Sequence, residues 1–355
     1  MKNWICAFLI SSSALTYAQE TIKMTAGDHN DYGLSYNLPT TMVAVEINST
    51  KKIQTRGPYY LYAEKYLGVK DVIIKSQTSY HLDKIDITTF GLANPAETYL
   101  VKFNAENPPS FYLTEEGQLL SINTEPDIIV TKPKSNKLDG SDESSDAISA
   151  LSEEQLSAGS IAKMAETAAK QIYRIRESRM NLVTGDVDQL PADGESFKII
   201  MKQLDDQEKA LTEMFVGKTV EQHLTDYIDL NPADWQEKNI LFRFSKYFGL
   251  VDNDNLSGTA FYLKATTVKD LRPIKEEQIA ANKKRREKNK GVAYTVPGTM
   301  TIELSSNNKI VKSKEIEVAQ FGEIMQLPKS TFDNKKTTAK AVFIPETGAI
   351  LEITQ

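Results

Sequence analysis

Histidine is the side chain best suited to move protons or hold a metal near neutral pH, and this chain has three: His29, His81 and His223. No two stand at i, i+2 or i, i+4, so no local zinc-binding pair exists. The single cysteine, Cys6, falls in the first ten residues. If those residues are a leader, the mature chain has no disulfide, no thiolate cluster and no cysteine nucleophile. A nucleophile would then be Ser, Thr or Lys. The G-x-S-x-G elbow, the Walker A loop and a G-x-G-x-x-G turn after a strand are all missing from the sequence. No catalytic residue, metal ligand or cofactor is assigned from sequence.

Five polar or aromatic clusters could still bind something. The loop GDVDQLPADGE offers Asp186, Asp188, Asp193 and Glu195, and VDNDNLSG offers Asp252, Asp254 and Asn255. Calcium favours such clustered oxygens, but neither loop has the D-x-[DN]-x-[DN]-G spacing with a glutamate at position 12. Aspartate also fills turns and helix caps for local reasons, and Asp193 reads as an N-cap. The stretch RIRESR sets Arg174 beside Glu177 and Arg176 beside Arg179 at i, i+3. Its expected role is an Arg–Glu network pinning helix to β core, with an anion site as the alternative. The basic run KKRREKNK (283–290) reads as a solvated helix end, with contact to anionic lipid as the alternative. Tyr59, Tyr60, Tyr62 and Tyr66 suit a short helix docking on a sheet, or a glycan platform.

The elements that must position these groups begin with a repeat. GLSYNLPTTM starts at Gly33 and GVAYTVPGTM at Gly291; Gly, Tyr, Pro, Thr and Met recur at the same places. Downstream in the same order come LTEEGQLLSI at Leu113 and IPETGAILEI at Ile344, sharing Glu115/Glu346, Gly117/Gly348, Leu120/Leu351 and Ile122/Ile353. Two matches in order suggest a duplicated β unit whose content is architectural. Pro39 and Pro297 lack a ladder donor, so each belongs at an edge, a strand start or a bulge. Apolar alternation resumes as Val43, Val45, Ile47 in one copy and Met300, Ile302, Leu304 in the other, with opposite parity from the proline. Either one copy has a bulge that the other lacks, or the likeness ends near Met42 and Met300. Gly117 and Gly348 can supply the positive φ of hairpin turns joining 110–113 to 118–122 and 340–344 to 349–353.

Between the copies, residues 132–146 are polar and aperiodic, a linker. Ile161, Ala165, Ala168, Ile172, Ile175 and Leu182 then keep helical spacing, as do Phe197, Ile200, Leu204, Leu211 and Phe215, with Gly217 as a C-cap. Charged outer faces and small inner residues predict a helical hairpin that projects from the β body. Strand patterns return at 219–229, NILFRFSKYF and GTAFYLKATTV. The expected fold is α+β: two related β-rich units flanking an inserted helical hairpin. The segments are 1–18, a leader; 19–131, an N-terminal β domain; 132–146, the linker; 147–217, the hairpin; 218–290, middle strands and a charged connector; and 291–355, a C-terminal β unit.

The leader follows from MKNWICAFLISSSALTYAQE: Lys2, an apolar run from Trp4 to Ile10, and small residues at Thr16 and Ala18 that suit signal peptidase. Cleavage after Ala18 makes Gln19 the mature N-terminus. The apolar run is far short of the roughly 20 residues that span a bilayer. Formal charge is −6, or −7 once Lys2 leaves, so nucleic acid is excluded as a partner on charge and compartment.

Five stretches, YNLPTTMVAVEI, GPYYLYAEKYLG, IYRIRESRMNLVTGDVDQLPADGESFKIIMKQLDDQEKALTEMFVG, ILFRFSKYFGLVDNDNLSG and VAQFGEIMQLP, together resemble the secreted proteins of Bacteroides and relatives grouped as domain of unknown function 4831. The likeness covers nearly the whole mature chain. It implies a cell-envelope setting, in the periplasm or at the outer membrane, and transfers no catalytic residues. The expected role is a non-enzymatic scaffold or protein-interaction module with an envelope protein as partner. The alternative is a module for a glycan or other ligand.

Overall fold

The computed structural model describes residues 20–23, 33–102, 109–127, 159–186, 193–273, 275–289, 291–328, 331 and 339–354. The fold is α+β and rich in strand. Two long antiparallel hairpins dominate it. In the first, β2 (Leu34–Thr55) pairs with β3 (Gln77–Lys102), and an insert at 56–76 carrying α1 (Ala63–Leu67) joins them. In the second, β10 (Ala293–Ser306) pairs with β11 (Lys309–Gln326) across a turn in which Asn307 and Asn308 take φ of 49° and 60°. Asparagine tolerates that left-handed geometry, which matches the twist of a tight hairpin.

Each hairpin contributes to a sheet. One sheet has the order β1-β3-β2-β6, with β1 at Glu20–Lys23 and β6 at Lys218–Leu230. The other has the order β11-β10-β9-β7-β8, with β7 at Asn239–Ser245, β8 at Gly249–Val251 and β9 at Thr259–Lys269. Their facing side chains form one core: Val43, Val45, Ile47 and Ile87 from the first sheet meet Phe261, Leu263, Met300, Ile302 and Leu304 from the second. The alternation visible in the sequence is this inward face.

Both hairpins bend at their prolines. Between Asn37 and Pro39 the partner strand jumps from Thr98 to Ala93; between Val296 and Gly298 it jumps from Glu323 to Val318. Both copies therefore bulge, whereas the sequence suggested one bulge or an early end to the likeness. The second bulge sits one residue later relative to the shared motif, so matched positions face opposite ways. Tyr36 is buried where Tyr294 is half-buried, and Thr295 and Met300 are buried where Asn37 and Met42 are half-buried. A one-residue offset reverses every side chain on a pleated strand.

Beyond the bends lies a third sheet of order β13-β12-β5-β4, made from Ile350–Thr354, Lys340–Phe343, Leu119–Ile122 and Phe111–Leu113. Gly117 (φ 82°) and Gly348 (φ 70°) turn its two hairpins. Asn37 donates its backbone N–H to the Gly117 carbonyl at 2.8 Å, and Thr295 donates to the Gly348 carbonyl at 3.0 Å. The glycines that open the two decamers also serve close approach. A Cβ on Gly33 would lie 2.5 Å from the Val101 carbonyl oxygen, and one on Gly291 would lie 1.3 Å from that of Leu327. A second core, including Tyr36, Tyr99, Leu119, Ile122, Val292, Ala341 and Phe343, fills this end.

The helices make a third core. α2 (Ile161–Thr184) is capped by Ser160 and α3 (Gly194–Val216) by Asp193, which accepts from the Ser196 amide at 2.7 Å. Ala165, Ala168, Ile172, Leu211 and Phe215 meet between them. The end of α3 docks on the 56–76 insert, where Tyr59 and Ile73 donate backbone N–H groups to Met214 and Val216. α4 (Glu276–Asn289) connects β9 to β10. No described helix is long and apolar enough to cross a membrane.

Tyr36 joins the two hairpins. Its phenol accepts the Ala293 N–H at 2.7 Å and donates to the Ala293 carbonyl at 3.0 Å, with the ring only 1% exposed. Burial holds its pKa well above the usual tyrosine value, so it stays a neutral donor. Tyr36→Phe removes that hydroxyl alone, leaving both Ala293 groups without that partner in a dry core. The expected loss is about 1–3 kcal/mol, read as a lower urea midpoint with the slope unchanged. An unmoved midpoint would show the link to be dispensable.

Candidate ligand-binding cleft

At the end of the sandwich away from the prolines the two sheets part. The start of β3 supplies Tyr80 and Leu82; β7 and β9 supply Phe244 and Phe261; the β10–β11 turn and its return strand supply Ser306, Asn307 and Val311. They enclose an open cavity of about 820 Å³, within the range of small-molecule sites. Local contacts fix its walls. Tyr80 donates its N–H to the Lys246 carbonyl at 2.7 Å, and its ring lies against Gly249, where a Cβ would come within 2.8 Å. Phe261 stacks on Phe242 with centroids 4.6 Å apart. Ser306 donates to the Ala260 carbonyl at 3.0 Å.

The charged groups at the rim are Lys246 and Lys309. Just outside, Lys312 on β11 reaches across to Asp86 on β3 at 2.7 Å, and Lys314 donates to the Ile87 carbonyl at 2.7 Å. Asp86 also pairs with Lys84. The Lys312 bond first, then Lys84, holds the Asp86 carboxyl below its ordinary pKa. These pairs tie the edge strand β11 to the opposite sheet beside the cleft.

The groups singled out in the sequence lie elsewhere, except His81, which lines the cleft. His81 and His223 are brought into one row: both pair with Thr50, one from β3 and one from β6. The Thr50 hydroxyl donates to Asp83 at 2.7 Å and lies 3.0 Å from His223 Nδ1. With its proton committed to Asp83, Thr50 can only accept from the imidazole. That is the reverse of nucleophile activation, in which the hydroxyl gives its proton to the histidine. His29 and Asp188 lie outside the described residues. Among the described residues no three His, Cys, Asp or Glu side chains gather to hold a metal ion. The 252–258 loop is an Asn-centred turn, Ser257 donating its N–H to Asn255 Oδ1 at 3.0 Å.

The arginines do not reach the β core. Arg176 pairs with Glu208 at 2.6 Å, and Arg179 with Asp205 and Glu208 at 2.7 Å each, all across to α3. Nor do the tyrosines dock on a sheet. Tyr59 packs on Phe215 with centroids 5.4 Å apart, and Tyr62 and Tyr66 lie against the α2–α3 core. Helices, not strands, present the matching apolar stripe. The basic run falls at the end of α4, where Lys284 is exposed.

No local pattern marks the cleft in the sequence, because its walls come from segments more than 200 residues apart.

The Asp86 pairs predict a pH dependence. A carboxylate with a depressed folded pKa contributes stability that is whole above its unfolded value, near ~4. That contribution is lost as pH falls through the lower folded value. Asp86→Asn should therefore lower Tm by about 2 °C at pH 7, and the gap to wild type should close as pH falls through the depressed folded pKa of Asp86. A gap that persists in acid would assign the effect to packing.

No curated protein and no solved structure matches the chain. One family's sequence model does, over residues 32–351, and by that match the chain belongs to the domain of unknown function family DUF4831.

Proposed function

We propose that this protein is a non-enzymatic binding module of the bacterial cell envelope, exported with cleavage after Ala18 and acting in the periplasm or at the outer membrane. The observation that carries the binding reading is the cleft: an open, aromatic-walled space of about 820 Å³ at the parted end of the sandwich. Tyr80 and Leu82 stand half-buried and Val311 exposed around a floor of buried Phe244 and Phe261, and a β-sandwich has no packing reason to leave the first three beside an open space, since closing it would bury them further.

The fold is read as two related β units flanking an inserted helical hairpin. Several features support common descent of the units: paired opening glycines, a proline-side bulge in each, and the matched bonds from Asn37 and Thr295 to Gly117 and Gly348. A second reading, scaffolding through an envelope protein partner, is favoured by one observation. The pairs Arg176–Glu208 and Arg179–Asp205 set α2 and α3 antiparallel, so Met180, Val183, Ile199 and Ile200 gather at one end, all exposed. Four apolar side chains at the tip of a charged helical pair suit a protein contact.

Two experiments separate the readings. Nile red should bind the wild-type protein at one saturable site, and Val311→Trp, which fills the cleft from its lip, should abolish binding without shifting thermal unfolding. Dye binding that ignores the substitution, or no binding at all, rules out the cleft. For the second reading, Met180→Glu with Ile199→Glu should eliminate a partner cross-linked to the wild-type protein in intact envelopes. Retention of that partner by the double variant rules out the helical tip.

A further inference from the structure

We propose that the cleft takes a single-chain anionic amphiphile, an acyl chain ending in a carboxylate or comparable anionic head, captured as a free monomer. The proposal rests on the binding reading above and adds the ligand's chemistry. Its first support is the wall. Tyr80, Leu82 and Val311 present aromatic and aliphatic surface from both sheets, and the slot they line is floored by the buried rings of Phe244 and Phe261, which belong to the sandwich core. A flexible apolar chain fills such a slot and needs no polar partner along its length.

The second support is charge. The chain as a whole is acidic, at −6. Yet among the described residues the only Lys, Arg, Asp or Glu side chains lining the cleft are Lys246 and Lys309. Neither forms an ion pair with a described carboxylate, although lysines elsewhere on the surface commonly do, as at Lys23–Glu97, Lys52–Glu221 and Lys312–Asp86. Two uncommitted ammonium groups at the mouth of an apolar slot complement an anion at one end of an apolar ligand. Long lysine stems can lie along apolar surface while the ammonium stays in water at the head group.

The third support is the lip. Tyr247 and Phe248 follow Lys246, exposed by 67% and 64%. An amphiphile crossing from water into the cleft would meet cation and apolar surface together at that lip. The volume sets the size. About 820 Å³ is room for one ligand of drug-like or fatty-acid size, so the proposal commits to a single chain in solution and not to a bilayer surface.

The test displaces Nile red from the full-length mature protein with probes of equal tail and different head, each below its micelle concentration. Dodecanoate should compete about fivefold better than dodecyl maltoside at low salt, as expected for two exposed charge contacts of under about 1 kcal/mol each. Decanoate should compete about threefold to fourfold more weakly per methylene removed, the ratio given by about 0.8 kcal/mol per buried CH₂. Lys246→Glu with Lys309→Glu should erase the preference for dodecanoate while leaving dodecyl maltoside unchanged, which also shows that the variant is folded. Equal competition by both heads overturns the anionic assignment while leaving the cleft a binding site. Competition that ignores tail length overturns the acyl-chain assignment. If the dye itself does not bind the cleft, the binding reading falls and this proposal falls with it.

Discussion

The fold depends on a buried threonine read by a glutamine side chain from another strand. β6 ends at Leu230, opposite Val43, so β2 loses its neighbour just as it approaches the bend at Pro39. Gln320 takes over. Its amide oxygen accepts the Thr41 N–H at 3.0 Å, and its amide nitrogen donates to the Thr41 carbonyl at 2.7 Å, as a strand would. The same nitrogen reaches Asn231 Oδ1 at 3.0 Å, one residue beyond the strand that stopped. The Thr41 hydroxyl accepts from Ala319 N at 2.9 Å and donates to the Glu346 carbonyl at 2.8 Å. A strand end in a dry interior is tolerable only when each polar group is matched. Here one fully buried residue gathers the first hairpin, the bulge of the second and the turn of the third sheet.

That convergence explains why the second hairpin must bulge. Gln320 belongs to the four residues, 319–322, that β11 inserts opposite Pro297; without them no side chain would point out of the ladder toward Thr41. The same four residues place the Phe321 ring in the sandwich core, with Arg272 stacked over it at 4.3 Å. The corresponding residues of β3, 94–97, lie at the surface instead, where Glu97 binds Lys23 and the Tyr99 hydroxyl. Two equivalent irregularities thus do different work: one is a buried clamp and the other a surface tie to β1. Bulges commonly re-aim side chains in this way.

The split between legible and illegible features follows the range of the forces involved. Local demands were written in the sequence. Glycines stood where the turns need positive φ, prolines where the ladder is broken, Asp193 and Gly217 at helix ends, and alternation in Val43–Ile47 and Met300–Leu304 marked the core face. What misled was whatever a distant partner decides. The offset between the two bulges cannot be found in either decamer, because it is set by which return-strand residues are extruded. The tyrosines of the 56–76 insert read as a docking surface, which they are, but their amphipathic pattern says nothing about whether strands or helices receive them. RIRESR predicted ion pairs correctly in kind and wrongly in direction, since i, i+3 spacing cannot compete with carboxylates on a neighbouring helix that shield the charge better. The cleft was invisible because hydrophobic alternation looks the same whether the facing sheet closes on it or stands away.

The two ends of the sandwich are unequal for a physical reason. At the proline end, bulges, the third sheet and the Tyr36 and Thr41 contacts consume every turn of chain, and a second apolar core fills the space. At the other end the strands simply stop at hairpin tips, and twist carries two packed sheets apart at their corners. A tight two-residue turn at Asn307–Asn308 has no side chains large enough to fill that gap, while the 56–76 insert at the tip of the neighbouring hairpin is occupied with the helices. Filling the gap would need bulk on both strands flanking the turn. Instead Ser306 bonds back to Ala260, and Lys312 and Lys314 clip the edge strand to β3 beside the opening. The edge is secured by charge where it is not secured by packing, so the sheets hold their separation and the apolar walls between them stay accessible.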